Sequence, residues 1–497
     1  MNELTNKVKK TTCLNGKTKN QLTQLSRQIF VTHLVIALLT VTNTHAFACS
    51  TFKLQKGDSL VYGHNLNEGD IGVPGMAFIN KRGIFKIGRT WSEIISKNQT
   101  NVSSYTWISR FGSVTFNGFG RDFPDGGMNE EGLFIWEMNE DTEYPKNKNL
   151  PKLNQMNWMQ YILDNYSTTE EAIKCASEIE IDGWGWHFFV GDTKGNTAAI
   201  EFFDGKVVVH NGENMPVAGL FNNPYERELE LLKYYKGFGG DYDPTLNNPR
   251  VPRFVKTAVL TRDYNLNESV VDYGIKMLHQ LMVDDEPEWS ILFDARKKNI
   301  YFKTRINPEI KTFSMSQIDF SNNTPTSVLN IDIEKGGNVY NKFTPYTNEI
   351  MHDFIKNFTK NILVPFLPKF CTAGGLTVDE YIERTTTHTD AAKSNEKQFF
   401  KGTWMNNPEN PDKDISMTLK LESINESVRG SISLGKEFYP IDHLCLLGNK
   451  LRFTFKTGKG TLLEVKADFT DGKMVAEVLG IENSFGKYSL DKISTDN

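Results

Sequence analysis

Ala46-Phe47-Ala48-Cys49-Ser50-Thr51-Phe52 is the stretch on which the reading of this 497-residue chain turns. Upstream lie the basic residues Lys7, Lys9, Lys10, Lys17, Lys19 and Arg27, followed by the apolar run 29–41. A basic region, a short apolar segment and a small-residue junction form the pattern of a secretory signal peptide. Cleavage after Ala48 makes Cys49 the first residue of the mature chain. A cysteine with a free α-amine carries nucleophile and base on one residue, the minimum that attack on an amide requires. The competing reading is a lipoprotein with Cys49 acylated. That pattern calls for a branched aliphatic residue three positions before the cysteine and a small one two before, where this chain has Ala46 and Phe47. The expectation is a secreted or periplasmic chain that loses residues 1–48 and keeps a free Cys49.

Without residues 1–48 the chain holds 50 basic and 60 acidic residues, a net charge of −10. Such a balance argues against nucleic acid and against an anionic membrane surface as partners. No later segment approaches the roughly 20 apolar residues of a membrane span, so no transmembrane span is expected after cleavage. Cys49, Cys175, Cys371 and Cys445 remain, none in a Cys-x-x-Cys pair, which removes support for zinc or thioredoxin-like chemistry. Cys175 falls in a helical pattern and reads as a buried small residue. Cys371 and Cys445 are left open as paired or free.

Size calls for two or three domains. Residues 50–54 and 59–63 read as strands joined by Lys56-Gly57-Asp58, a hairpin turn. Residues 153–164, 168–179, 225–235 and 267–280 have helical periodicity. Residues 187–190, 198–202 and 206–210 read as strands with a tight turn at Asp204-Gly205, and 289–294 with 299–304 as a hairpin around Lys297-Lys298. Grouped strands and grouped helices predict an α+β fold. The expected division is a signal peptide at 1–48, a catalytic domain at 49–370, a polar linker at 371–398 with room for a short helix, and a small C-terminal antiparallel β-domain at 399–497, a barrel or sandwich.

Five separated segments resemble the penicillin V acylase and choloylglycine (bile salt) hydrolase family, the linear-amide branch of the N-terminal nucleophile hydrolases. They are Cys49-Ser50-Thr51-Phe52 running on to Gly63-His64-Asn65-Leu66-Asn67, Gly126-Gly127-Met128-Asn129-Glu130-Glu131-Gly132-Leu133 running on to Asn139, Ile200-Glu201-Phe202-Phe203-Asp204-Gly205, Phe221-Asn222-Asn223-Pro224, and Arg253-Phe254-Val255-Lys256. Order and spacing match over about residues 49–345. The resemblance implies a four-layer αββα fold, a Cys49 nucleophile, oxyanion donors at Asn222 and Asn139, and Arg253 beside the thiol. It implies no metal or organic cofactor. Members of that family are often tetramers, so a homo-oligomer is implied as well. Asn129 reads as a turn-shaping residue.

One segment departs from the family. Its usual Gly-Arg-Asn-x-Asp stands here as Gly63-His64-Asn65-Leu66-Asn67. Asn67 accepts a hydrogen bond but carries no charge to hold an ammonium, and His64 exchanges a fixed cation for a group that ordinarily titrates near pH 6.5. The expected reaction is hydrolysis of a linear carboxamide through a Cys49 acyl-enzyme. Implied small-molecule substrates are penicillin V-like phenoxyacyl amides, conjugated bile acids or N-acyl homoserine lactones, each with an apolar acyl group. The rivals are an acyltransferase, an acid-ceramidase-like lipid amidase, and a weak or silent binding protein on the same fold. His187, beside Trp184 and Trp186, reads as part of an aromatic cluster. Asp284-Asp285-Glu286 lacks the spacing of a calcium loop.

Overall fold

The computed structural model describes residues 49–494 except 69–71, 100–102, 104, 266, 283–286, 393–397, 407–415, 425, 471 and 481–483. The expected signal segment 1–48 and Asp284-Asp285-Glu286 lie outside the described residues.

Ser50–Lys56 and Ser59–Leu66 pair antiparallel, with Gly57 at φ 56° in the turn between them. They are the second and third strands of a seven-stranded sheet in the order Gly219–Leu220, Ser50–Lys56, Ser59–Leu66, Trp289–Asp294, Asn299–Thr304, Lys311–Ser314, Gly337–Asn338. A nine-stranded sheet runs Lys206–Asn211, Thr197–Phe203, Trp186–Gly191, Phe134–Asn139, Gly126–Asn129, Ser113–Asn117, Met76–Asn80, Ser327–Asn330, Thr344–Pro345. The turn at Asp204-Gly205 takes positive φ at both residues, 51° and 68°, the geometry that a two-residue hairpin of matching twist requires.

Alternation along the strands brings aromatic rings of the two sheets together. Tyr62 stacks on Phe134 at 4.9 Å, His64 on Trp136 at 4.2 Å, and Phe116 meets Phe293 edge-on at 6.0 Å. Gly126 and Gly127 belong to this packing. A Cβ on Gly126 would lie 2.2 Å from the Trp136 ring, and one on Gly127 2.4 Å from the Val114 carbonyl oxygen. Asn129, in the same motif, donates to the carbonyls of Leu163 and Tyr166 and accepts from the N–H groups of Glu131 and Leu133. It shapes the turn, as the sequence predicts.

Behind the nine-stranded sheet, Ile135, Phe188, Val190 and Ile200 pack with Trp158, Leu163 and Cys175 of helices Gln155–Asn165 and Thr169–Cys175. Behind the seven-stranded sheet, helix Val270–Gln280 approaches so closely that a Cβ on Gly274 would meet Leu292 at 2.9 Å. The fold is mixed α+β. Among the described residues no helix is long and apolar enough to cross a membrane.

The C-terminal strands differ from the expected small β-domain in one respect. Nine strands from Gly402–Asn406 to Ser484–Ser494 lie in an eleven-stranded sheet whose last two members are Thr106–Ile108 and Phe85–Ile87. The sheet curls, so that Val428 donates to the Gly83 carbonyl at 2.7 Å and Ile84 bridges Ser427. Short strands from early in the chain carry too little periodicity to announce this pairing. The expected linker differs too. Helix Val378–His388 opens with a Thr377/Glu380 capping box and buries Tyr381, Ile382, Thr385 and Thr386. Its polar composition hid an amphipathic face. Cys371 and Cys445 are both free and buried.

Arg121 ties these parts together. Almost fully buried, it donates to Thr326 Oγ1 at 2.8 Å and to both Glu426 oxygens at 2.7 Å, and it lies 3.3 Å from Asp390 Oδ1. Removing one partner of a buried ion pair leaves the other charge uncompensated. Arg121→Met is expected to cost about 3–5 kcal/mol, read from the denaturant midpoint; an unchanged midpoint would remove this bracing role.

Candidate active site

Cys49 sits at the entrance to Ser50–Lys56, where Ser50 pairs with Asn65 of the neighbouring strand. Its side chain is fully buried, and its Sγ–H points to the Asn67 carbonyl oxygen at 3.8 Å. Arg253 opens helix Arg253–Asp263 after Pro252. Its Nη1 donates to the Cys49 carbonyl at 2.5 Å and to Ser50 Oγ at 2.9 Å, and its Nη2 to Asn222 Oδ1 at 3.0 Å. The planar guanidinium suits this fork, which a lysine does not reproduce. Asn222 Nδ2 donates to the Asn139 carbonyl at 3.0 Å, and Trp186 Nε1 to Asn139 Oδ1 at 2.7 Å. Cys49, Arg253, Asn222 and Asn139 thus form one hydrogen-bonded chain, assembled from segments up to 204 positions apart.

A second network fixes that chain from behind. His187 Nε2 meets the Phe221 carbonyl at 2.5 Å and its Nδ1 meets Glu201 Oε1 at 3.0 Å. Glu201 also accepts from the Tyr225 N–H at 3.0 Å and lies 3.2 Å from His210 Nε2. Burial works against its charge, but the bonds from His187 and His210 hold its carboxyl down to about 2. Phe221 immediately precedes Asn222, so His187 braces the segment that carries the candidate oxyanion donor. Atoms of Glu140, His187 and Glu201 all lie within 4.8 Å of one another, yet His187 Nδ1 is committed to Glu201 rather than left open to a cation.

His64 differs from expectation. His64 is fully buried, stacked on Trp136, with Nδ1 2.8 Å from Thr51 Oγ1. Burial pushes its pKa well below the usual value, so it stays neutral near pH 6.5 and does not stand in for a cation. Asn67 meets the Cys49 thiol through its main-chain carbonyl, a contact open to any residue type.

Two carboxyls that sequence reasoning missed lie beside the thiol. Cys49 Sγ, a Glu68 oxygen and a Glu137 oxygen all fall within 4.8 Å of one another. Burial first, then the charges of Glu137 and Glu68, push the Cys49 thiol well up, and these outweigh the lowering by the Asn67 contact and by Arg253. Burial and its acidic neighbours Glu288 and Asp125 raise Glu68 to about 8; burial raises Asp125 to about 7 against a hydrogen bond from the Gly118 N–H. Glu137 is raised well above the usual carboxylate range by burial, Glu68 and Asp125. Nothing in the sequence marks Glu137 beyond an acid inside an otherwise apolar strand, Phe134–Asn139.

Next to Asn139 and Glu68 opens a cavity of about 180 Å³ with an aromatic wall that includes Trp91, Phe119, Trp184 and Trp186. Phe358, Leu367 and Phe370, at the far end of the expected catalytic domain, close it. Their signal in the sequence is the apolar spacing Phe358, Ile362, Leu363, Leu367, Phe370.

A sequence model of the acyl-coenzyme A:6-aminopenicillanic acid acyl-transferase family matches residues 94–218. The chain is 26% identical over 267 residues to the penicillin V acylase of Pectobacterium atrosepticum, a span of 44% of this chain and 70% of that protein. Its fold is similar to that of penicillin V acylase from Agrobacterium tumefaciens, with a TM-score of 0.50 and 20% identity over 60% of this chain and 98% of that one. A variant of conjugated bile acid hydrolase from Clostridium perfringens aligns with a TM-score of 0.45 and 15% identity, over 58% of this chain and 98% of its own. With its five motifs in order and a penicillin V acylase as sequence relative, the chain resembles the penicillin V acylase and choloylglycine (bile salt) hydrolase family, and it shares its fold with a solved member.

Proposed function

We propose that this protein is an exported cysteine amidase of the N-terminal nucleophile type, with a four-layer αββα core, that hydrolyses a linear carboxamide with a compact apolar acyl group. The observation that carries the reading is the hydrogen-bonded chain Cys49–Arg253–Asn222–Asn139 beside an aromatic cavity. Removal of residues 1–48 frees the α-amine of Cys49. That amine, with an ordinary pKa of about 7.7–8.0, takes the thiol proton as sulfur attacks the carbonyl carbon. Asn222 and Asn139 are suited to donate to the oxyanion that forms, and Arg253 keeps Asn222 and Cys49 in register. Collapse of the tetrahedral intermediate passes the proton to the leaving nitrogen and leaves a thioester. Water then cleaves the thioester, releasing the acid and restoring the thiol.

The cavity supports a choice of substrate. Sites for drug-sized ligands run to about 300–1,000 Å³, and this one has about 180 Å³ walled by aromatic rings. A phenoxyacyl or short acyl chain suits that space better than a steroid acid. The Penicillin V acylase relative points the same way.

The decisive experiment pairs intact mass and N-terminal sequencing of the exported protein with hydrolysis of a phenoxyacetyl amide. A mass that begins at unmodified Cys49, and turnover abolished in Cys49→Ala, is the expected outcome. A diacylglyceryl mass on Cys49, or an N-terminus elsewhere, would sink the proposal. Asn222→Ala is expected to lower kcat about 100–1000-fold with KM little changed, as loss of one oxyanion donor does. Phe370→Ala should raise the ratio of kcat/KM for longer over shorter acyl chains about tenfold, a usual size for one wall contact; an unchanged ratio would place the acyl group elsewhere.

A further inference from the structure

The family's aspartate is Asn67 here, so the site lacks an anion where the nucleophile's amine is held, and the structure offers acids nearby instead. Glu137 is 1% exposed, and its Oε2 has no hydrogen-bond partner among the described residues. It shares a 4.8 Å neighbourhood with Glu68 and the Cys49 sulfur. Covalent geometry keeps the Cys49 nitrogen within about 3–4 Å of its own sulfur. Asp125 and Glu288 add to the acid cluster through Glu68, and Arg305 lies 3.7 Å from Glu288. The nearby guanidinium, Arg253, directs its fork at Cys49 O, Ser50 Oγ and Asn222 Oδ1 and also feels the charge of Glu228. His64, whose pKa burial lowers well below the usual value, faces Thr51. An isolated buried carboxylate is strongly disfavoured unless a cation pairs with it.

We propose that Glu137, backed by Glu68, replaces the missing aspartate: in the processed chain its carboxylate pairs with the α-ammonium of Cys49 and steadies the proton that the amine takes from the thiol. This rests on the reading of Cys49 as a free N-terminal nucleophile. Hydrolysis of the 48–49 peptide bond consumes one water and leaves a carboxylate on Ala48, an amine on Cys49 and one proton, which passes to solvent. The acid pair transfers its own proton to that amine, giving a carboxylate and an ammonium in the resting site, and the ammonium sheds this proton to solvent before the amine takes another from the thiol. In the attacking state the order of charges is carboxylate, ammonium, thiolate. The ammonium proton then goes to the leaving nitrogen, and Glu137 stays ionised throughout. The role is catalytic in the strict sense, because Glu137 touches the base itself.

The test is the titration of the α-amine in protein that starts at Cys49, read by cyanate carbamoylation across pH with peptide mass analysis of the first residues. This readout does not require turnover. A nearby anion favours the protonated amine, so the wild-type midpoint is expected above the ordinary 7.7–8.0. Glu137→Gln should lower it by about one pH unit and move the acid limb of the kcat/KM profile the same way. Adding Asn67→Asp to Glu137→Gln should restore it. Glu68→Gln should lower the midpoint less, and keeps the test intact if Glu137→Gln fails to fold. The same midpoint in wild type, Glu137→Gln and Glu68→Gln, or a wild-type midpoint below the ordinary value, would overturn the inference. A raised, Glu137-dependent midpoint without amide hydrolysis would defeat the amidase reading and leave this one standing. Hydrolysis with a midpoint indifferent to both glutamates would do the reverse.

Discussion

The aromatic layer between the two large sheets is the constraint on which the other features depend. Tyr62, Phe134, Trp136, Phe116 and Phe293 interlock across it, and their bulk sets how far apart the sheets stand. Because Ser50–Lys56 and Ser59–Leu66 are inner strands of one sheet and Phe134–Asn139 an inner strand of the other, the same spacing decides where Cys49 stands relative to Asn139. Rings of this size bury large apolar areas and tolerate little displacement. The paired glycines Gly126 and Gly127 follow from that tightness. They are an imprint of packing inside a motif that otherwise reads as catalytic.

The site shows two scales of organisation. Locally, the fork of Arg253 at its helix N-terminus joins the start of Ser50–Lys56 and the segment of Asn222 into one hydrogen-bonded unit. At longer range, Glu201 anchors two histidines and the N-terminus of helix Tyr225–Leu232, and the helix in turn fixes the turn holding Asn222. The chemistry of the thiol is governed by burial more than by its cation. In the intact chain the Cys49 thiol is held well above its ordinary pKa, which leaves it a poor nucleophile at neutral pH.

Much of the fold was legible in the sequence. Turn chemistry at Gly57 and at Asp204-Gly205, and the period-2 runs around them, gave the strands their positions. Cys49, Asn139, Asn222 and Arg253 were legible as motif residues, and they converge in space. Other features were hidden for physical reasons. Glu137 occupies a strand position like any other acid, and only the folded chain brings it to Cys49. His64 looked like a titrating substitute for arginine, but its solvation is a property of the sheet stack and cannot be read from the chain. The side of the cavity that Phe358 and Phe370 close lies beyond the matched motifs, because a pocket is closed by whatever segment returns to it. Residues 107–109 read as strand-like in the sequence, but a run that short does not announce its pairing with the C-terminal strands.

That pairing has a consequence for truncation of the chain. A module joined by a tether can be lost or exchanged with little effect on its neighbour, but here Leu446 and Leu447 pair directly with Ile108 and Trp107. Cutting the chain ahead of Gly402 would strip one partner from Thr106–Ile108 and present a row of unmatched backbone donors and acceptors to solvent. A bare edge of that kind invites pairing with other chains. The C-terminal strands therefore cover the edge of Thr106–Ile108.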